Sequence, residues 1–191
     1  MAKTQYYCAA SLDGYIASAD DSIDWLTEYE GTYDSADAAA SPMGEGGSYE
    51  DFYAEVGALI GGSVTYEWVL DHYSDPWPYL GKPWWILSSR EQRVPEGEGI
   101  DVRIANGDIA ELHAEMVESA GGKNLWLVGG GGVASQLVDA GLLDELLLTV
   151  VPVVLGEGKP LFERPLPAPM QLLSSTPFAN GMVELKYALG R

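Results

Sequence analysis

From about residue 58 onward the chain alternates short β-type apolar runs with longer stretches of helical spacing, and this alternation restricts the possible folds more than any other feature. Residues 58–60 read as a buried strand, 63–73 as a helix, and 84–87 and 100–104 as strands. Residues 109–120 form an amphipathic helix with Ile109, Leu112, Met116 and Val117 on one stripe. A strand over 125–128, a helix over 133–140 and a long apolar strand over 146–155 follow. Two strand-like runs, 171–174 and 182–189, flank the turn residues Asn180-Gly181 and close the chain. Upstream, 5–10 reads as a first strand, Asp21 or Ser22 as the cap of a brief helix through Trp25 and Leu26, and Ser48 as the start of another helix with Asp51 three residues on. Residues 30–47, rich in Gly, Ala, Ser and Asp, read as a long loop of the kind used as a lid. The expected class is α/β, a mostly parallel central sheet with flanking helices and a C-terminal antiparallel strand pair. At 191 residues, 47% of them hydrophobic, residues 1–191 suit one domain.

Charge narrows the partners. The net formal charge is −19, from 10 Lys+Arg against 29 Asp+Glu. Such a surface repels nucleic-acid phosphate and anionic lipid, so neither nucleic acid nor membrane is an expected partner. No apolar stretch approaches membrane-spanning length and the N-terminus carries no leader pattern, so a cytoplasmic protein is expected. One cysteine, Cys8, and two histidines, His72 and His113, leave no set of zinc ligands, and no metal is expected. Between Lys3 and Lys82 there is no Lys or Arg. An anion resting on that part must be held by backbone N–H groups and hydroxyls, with cations supplied from later in the chain.

Three strand ends carry small or hydroxyl residues, and ligands of open α/β sheets gather at the carboxyl ends of strands. Gly61-Gly62-Ser63-Val64-Thr65 opens a helix, where free N–H groups and the helix dipole favour an anion; a plain Ser cap after a glycine turn is the structural alternative. Leu87-Ser88-Ser89-Arg90 offers two hydroxyls and a guanidinium to a phosphate, or else is a polar surface loop. Leu127-Val128-Gly129-Gly130-Gly131-Gly132-Val133-Ala134 has more glycine than a bare turn needs and lets a ligand approach the backbone. It lacks the GxGxxG spacing of a Rossmann dinucleotide site. Together the three loops suit a long phosphorylated ligand such as a dinucleotide.

These motifs resemble the dihydrofolate-reductase-like superfamily, and within it the C-terminal reductase domain of the bifunctional riboflavin biosynthesis protein. Ser11-Leu12-Asp13-Gly14-Tyr15-Ile16-Ala17 resembles the SxDGxIA opening, and Gly62-Ser63-Val64-Thr65-Tyr66-Glu67 the GRxTYE helix start. The stretch from Leu127 through Leu142-Leu143-Asp144-Glu145-Leu146 to Leu155-Gly156-Glu157-Gly158-Lys159-Pro160-Leu161-Phe162 is similar over its length. The resemblance implies a dihydrofolate-reductase-like fold, NADPH as cofactor and, as the family often pairs, a homodimer through the apolar run 146–154. By resemblance, Ala9 and Ile16 present backbone to the nicotinamide carboxamide, while Gly62, Ser63 and Thr65 hold the pyrophosphate side. Ser88, Ser89 and Arg90 meet the adenosine ribose and its 2′-phosphate, and Gly129, Gly130, Gly131, Gly132, Val133 and Ala134 cradle the nicotinamide-side phosphate. Ser63 stands where the family has Arg, which leaves Arg90, with Arg93, to supply charge and keeps NADH as the alternative cofactor.

The implied reaction is hydride transfer to a C=N or C=O bond of a small pterin-, folate- or aminopyrimidine-like heterocycle. Asp13 matches the family's Asp near the substrate pocket, with a turn-forming Asp-Gly as the structural alternative. Asp24 is the other candidate acid; with Trp25 it lies on the short helix that would face the substrate, or else it is an exposed first-turn acid. Trp77 could edge a pocket or a subunit contact. The riboflavin-pathway 5-amino-6-(5-phosphoribosylamino)uracil reductase is a second expectation, though a ribityl phosphate sits poorly on a cation-free substrate side. A non-catalytic, dimeric nucleotide-binding module is the third.

Overall fold

The computed structural model describes residues 2–29, 49–73 and 76–190. The loop expected over 30–47 and the cap expected at Ser48 lie outside these residues. The elements, in order, are β1 (Thr4–Ser11), β2 (Tyr15–Ala17), α1 (Asp24–Thr27), α2 (Tyr49–Glu55), β3 (Val56–Gly62), α3 (Ser63–His72), β4 (Pro83–Leu87), β5 (Asp101–Ala105), α4 (Ile109–Ser119), β6 (Asn124–Gly129), α5 (Gly131–Asp139), β7 (Glu145–Val151), β8 (Lys159–Pro160), β9 (Gln171–Pro177) and β10 (Val183–Ala188). Eight strands form one sheet in the order β5-β4-β3-β6-β1-β7-β10-β9. The six strands from β5 to β7 pair in parallel, and β10 runs antiparallel to both β7 and β9. A small antiparallel pair, β2 with β8, stands beside the main sheet.

Helices cover both faces, which is why the inner strands read as continuous apolar runs rather than alternating ones. In β3, Ala58 and Ile60 point into one cluster with Met116 of α4 and Val133, Ala134 and Leu137 of α5. Leu59 points the opposite way, into a cluster with Phe52 of α2 and Tyr66, Val69 and Leu70 of α3. Trp77 belongs to this second cluster, only 6% exposed and ringed by Tyr66, Tyr79 and Trp84. It is core, not the rim of a pocket or a subunit contact.

Other expectations shift at element ends. The strand expected over 146–155 stops at Val151, because Pro152 has no N–H to continue the ladder and Val153 N–H turns back onto the Val151 carbonyl at 2.8 Å. β7 lies between β1 and β10, so a central position accounts for its apolar run without a second copy. Helix α5 starts at Gly131 rather than at 133, taking two of the four glycines into its first turn. Val117 is more exposed than the other residues of its expected stripe, being 37% accessible. The N-cap of α1 is Ile23, while the Ser22 hydroxyl still accepts from Asp24 N–H at 3.0 Å. Among the described residues no helix is long and apolar enough to cross a membrane.

Candidate functional site

β4, β3 and β6 are neighbours in the sheet and parallel, so the three loops singled out in the sequence leave it side by side at one end. They touch. The position a Cβ would take on Gly130 lies 3.7 Å from Gly62 N, and that of Gly62 lies 3.4 Å from a methyl of Val133. The Cβ position of Gly129 falls 2.8 Å from Thr65 Oγ1, so a side chain there would displace the Thr65 hydroxyl. From the loop after β4 Arg90 reaches across, its Nη2 donating to Ser63 Oγ and to Glu67 Oε1, each at 3.2 Å. The guanidinium thus lies against the first turn of α3, beside the residue that is Ser63 here and Arg in the motif it resembles.

Local structure explains how these groups are presented. Ser63 is not the cap of α3: the N-cap is Gly62, which has no side chain to satisfy the first N–H groups. Helix α5 likewise starts behind Gly130, with no side-chain cap and with φ of +106° at a residue where only glycine is unstrained. The Ser88 hydroxyl accepts from Arg90 N–H and donates to the Arg90 carbonyl, both at 3.0 Å, which closes the loop behind the guanidinium. Ser89 and Arg90 are exposed.

Gly131 and Gly132 have a reason internal to the chain. A Cβ on Gly131 would lie 2.3 Å from the Pro160 carbonyl oxygen, and one on Gly132 3.0 Å from Glu163 Oε1. The segment 160–163 therefore lies directly on the first turn of α5. It is fastened there by Glu163 N–H donating to Ser135 Oγ at 3.0 Å and Leu161 N–H donating to the Gly14 carbonyl at 3.0 Å.

The expected acids are not gathered into one cluster. Asp13 accepts from Ser11 Oγ at 2.7 Å, from Leu155 N–H at 3.1 Å and from Gly156 N–H at 2.7 Å. The Ser11 hydroxyl, then these amides, hold its carboxyl below the usual range. The carboxylate clasps the β1–β2 turn to the segment before β8. Asp24 opens α1 and is exposed; Trp25 beside it is half-buried, with an indole N–H that is covered and has no hydrogen-bond partner. Ala9 lies near the carboxyl end of β1 opposite Thr149, and Ile16 lies in β2.

One acid was not singled out from the sequence. Glu184 of β10 is 9% exposed, its Oε2 is covered and without a hydrogen-bond partner, and burial pushes its carboxyl up to about 7 against the pull of Lys186. Its strand alternates weakly in polarity, so the pattern alone does not say which face is covered; the signal was an acid inside an otherwise credible strand.

Comparisons with known proteins identify the family and the fold. Residues 80–184 match the model of the RibD C-terminal domain. The chain is 34% identical over 160 residues to the uncharacterized protein YwjB of Bacillus subtilis (strain 168), covering 84% of this chain and 82% of that protein. A putative riboflavin biosynthesis protein from Shewanella sp. PV-4 superposes over the whole of both chains with a TM-score of 0.78 and 27% identity. Dihydrofolate reductase from Enterococcus faecalis, complexed with NADP(H), has the same fold at 15% identity, with a TM-score of 0.61 over 99% of this chain and 97% of that one. With its mostly parallel sheet and closing antiparallel pair, the fold is dihydrofolate-reductase-like, and the chain belongs to the RibD C-terminal domain family.

Proposed function

We propose that this protein is an NADPH-dependent reductase that transfers hydride to a C=N or C=O bond of a small heterocycle of pterin, folate or aminopyrimidine type, with residues 1–191 acting as one reductase domain. The observation that carries this reading is the meeting of three loops from adjacent strands, with Arg90 laid against the start of α3. The residues present fit such a cofactor. Two helix N-termini without side-chain caps leave N–H groups for phosphate oxygens, and a guanidinium laid against the first turn of α3 suits a phosphate monoester. Arg90, Ser89 and Ser63 would hold the 2′-phosphate. Gly62, Thr65 and Gly130 would line the pyrophosphate, with Gly129, Gly131, Gly132, Val133 and Ala134 shaping that turn. Ala9 and Ile16 would offer backbone to the carboxamide.

When bound, the nicotinamide supplies the hydride. The chain's own part is to orient substrate against it and to exclude water. Asp13 acts as a positioning residue, because its lone pairs are already engaged by Ser11, Leu155 and Gly156. Asp24 and Trp25 would line the substrate side. The riboflavin-pathway reduction is a second reading, favoured by the likeness to the Shewanella protein. A phosphorylated substrate would then need a cation from beyond residue 81, since none lies between Lys3 and Lys82.

The test is a fluorescence titration of the protein with NADPH and with NADH at two salt concentrations, repeated with Arg90→Ala. A charge-assisted hydrogen bond contributes about 1.5–3 kcal/mol, so Arg90→Ala should weaken NADPH binding roughly 10- to 100-fold and leave NADH nearly unchanged. Wild-type NADPH binding should weaken with salt. No binding of either dinucleotide would overturn the proposal. Equal affinity for both would reject the 2′-phosphate role of Arg90.

A further inference from the structure

A carboxyl that is buried and unpartnered is costly to keep, and native structures retain such groups where they serve something beyond the fold. Glu184 is such a group. Its nearest candidate partner on the same strand, Lys186, is engaged elsewhere, with Nζ 3.3 Å from Glu145 Oε2.

The sheet register shows what Glu184 stands beside. Ala9 of β1 pairs with Thr149 of β7, Thr149 with Glu184 of β10, and Glu184 with Thr176 of β9. Residues directly opposite in a ladder project from the same face, so these four form one row. The next row toward the amino end of β1 is Tyr7, Leu147 and Lys186. Tyr7 packs on Phe52 of α2 with ring centroids 4.8 Å apart, which identifies the face as the one α2 covers. The Glu184 row therefore lies beyond that aromatic contact, at the same end of the sheet from which the three cofactor loops emerge. Adjacent strands are about 4.8 Å apart, so Glu184 stands roughly 10 Å from Ala9, with Thr149 between them. A flat fused two-ring heterocycle is of that order in length.

We propose that Glu184, with the Thr149 hydroxyl beside it, forms the far edge of the heterocycle site, and that its carboxyl accepts N–H donors from a two-ring substrate whose near edge lies over Ala9. The proposal deepens the reductase reading, on which it relies for placing substrate beside Ala9. Paired N–H donors of an aminopyrimidinone edge match the two oxygens of one carboxylate. The acid is on the sheet itself, a rigid element, rather than on a loop.

The experiment titrates pterin into wild type, Glu184→Gln and Thr149→Val, with and without NADPH, and records NADPH affinity and the thermal midpoint at pH 8 for each. Glu184→Gln should weaken pterin binding at least tenfold, leave NADPH affinity unchanged and raise the midpoint, because the amide removes a buried charge. Thr149→Val should weaken pterin severalfold. Wild-type pterin affinity in Glu184→Gln overturns the proposal, as does the absence of saturable pterin binding to wild type. A lowered midpoint or failure to fold in Glu184→Gln also overturns it, because the carboxyl would then be serving the fold. If wild type binds pterin but not NADPH, the reductase reading fails, and the Glu184→Gln comparison still decides the role of Glu184.

Discussion

Gly131 and Gly132 are adjacent, both in the first turn of α5, yet alanine at the two positions should have opposite effects on stability. At Gly131 the new Cβ would lie 2.3 Å from the Pro160 carbonyl oxygen and 3.2 Å from that of Leu161, roughly 1 Å inside ordinary contact for the first. Both are backbone atoms, and the segment that carries them cannot easily withdraw. Pro160 pairs with Tyr15 in the small sheet, Leu161 N–H is bonded to the Gly14 carbonyl, and the Phe162 ring packs edge-on against Tyr6 at 5.9 Å. Overpacking of this kind costs about 1–3 kcal/mol. Loss of a backbone hydrogen bond adds about 1 kcal/mol, and the better helix propensity of alanine returns at most about 1 kcal/mol. The net expectation for Gly131→Ala is a loss of about 1–3 kcal/mol, which for a chain of this size lowers the thermal midpoint by roughly 2–12 °C. At Gly132 the atoms nearest the Cβ are those of the exposed Glu163 carboxylate, at 3.0–3.2 Å, the free end of a flexible side chain. Gly132→Ala should therefore lie within about 0.5 kcal/mol of wild type or be slightly stabilised. Urea unfolding of the three proteins, without cofactor, measures both. Equal stability of Gly131→Ala and wild type, or equal losses in the two variants, would refute the argument that the segment 160–163 requires glycine at 131.

Two acids should give the pH–stability curve opposing slopes. Glu184, raised to about 7 in the fold, holds its proton between about 4.5 and 7 while the unfolded chain does not. Its contribution is therefore complete below about pH 4.5 and is lost as pH rises through 7, a decline on the order of 2 kcal/mol that Glu184→Gln should flatten in urea titrations across pH 4–8. Glu145, nearly covered, accepts from Lys3 Nζ at 2.5 Å and Gln5 Nε2 at 2.8 Å and is held below its ordinary value despite burial. It contributes above about pH 4.5 and loses that contribution as pH falls, so Glu145→Gln should be destabilised by about 1–3 kcal/mol at pH 7 and by less at pH 3.5. Asp13→Ala should accelerate amide hydrogen exchange at Leu155 and Gly156, with no such change in Asp24→Ala; unchanged exchange in Asp13→Ala would reject the clasp.

Much of the framework was legible because it rests on short-range patterns. Residues 58–60, buried on both faces, could be read as an inner strand, and Asn180-Gly181 as the turn of the closing hairpin, with Gly181 at φ +89°. The three loops could be singled out because each follows a strand at its carboxyl end. Errors fell where a distant contact decides. The apolar run past Val151 looked like strand until Pro152 and the Val153 turn ended it. Trp77 sits in a segment of turn residues yet packs among Tyr66, Tyr79 and Trp84. Spacing also gave no sign that Gly131 and Gly132 lie against the segment 160–163.

Periodicity and end signals thus determined which segments are strands and helices, where the three loops at the strand ends emerge, and that cations near them must come from beyond residue 81. Tertiary structure alone decided which loops meet and which side chains remain free to act. Strand order brings Asp13 to amides 142 and 143 residues further along, aims Arg90 at Ser63, and turns Glu184 inward beside Thr149. A side chain's partner across a sheet depends on strand order and register, and local spacing carries no record of either.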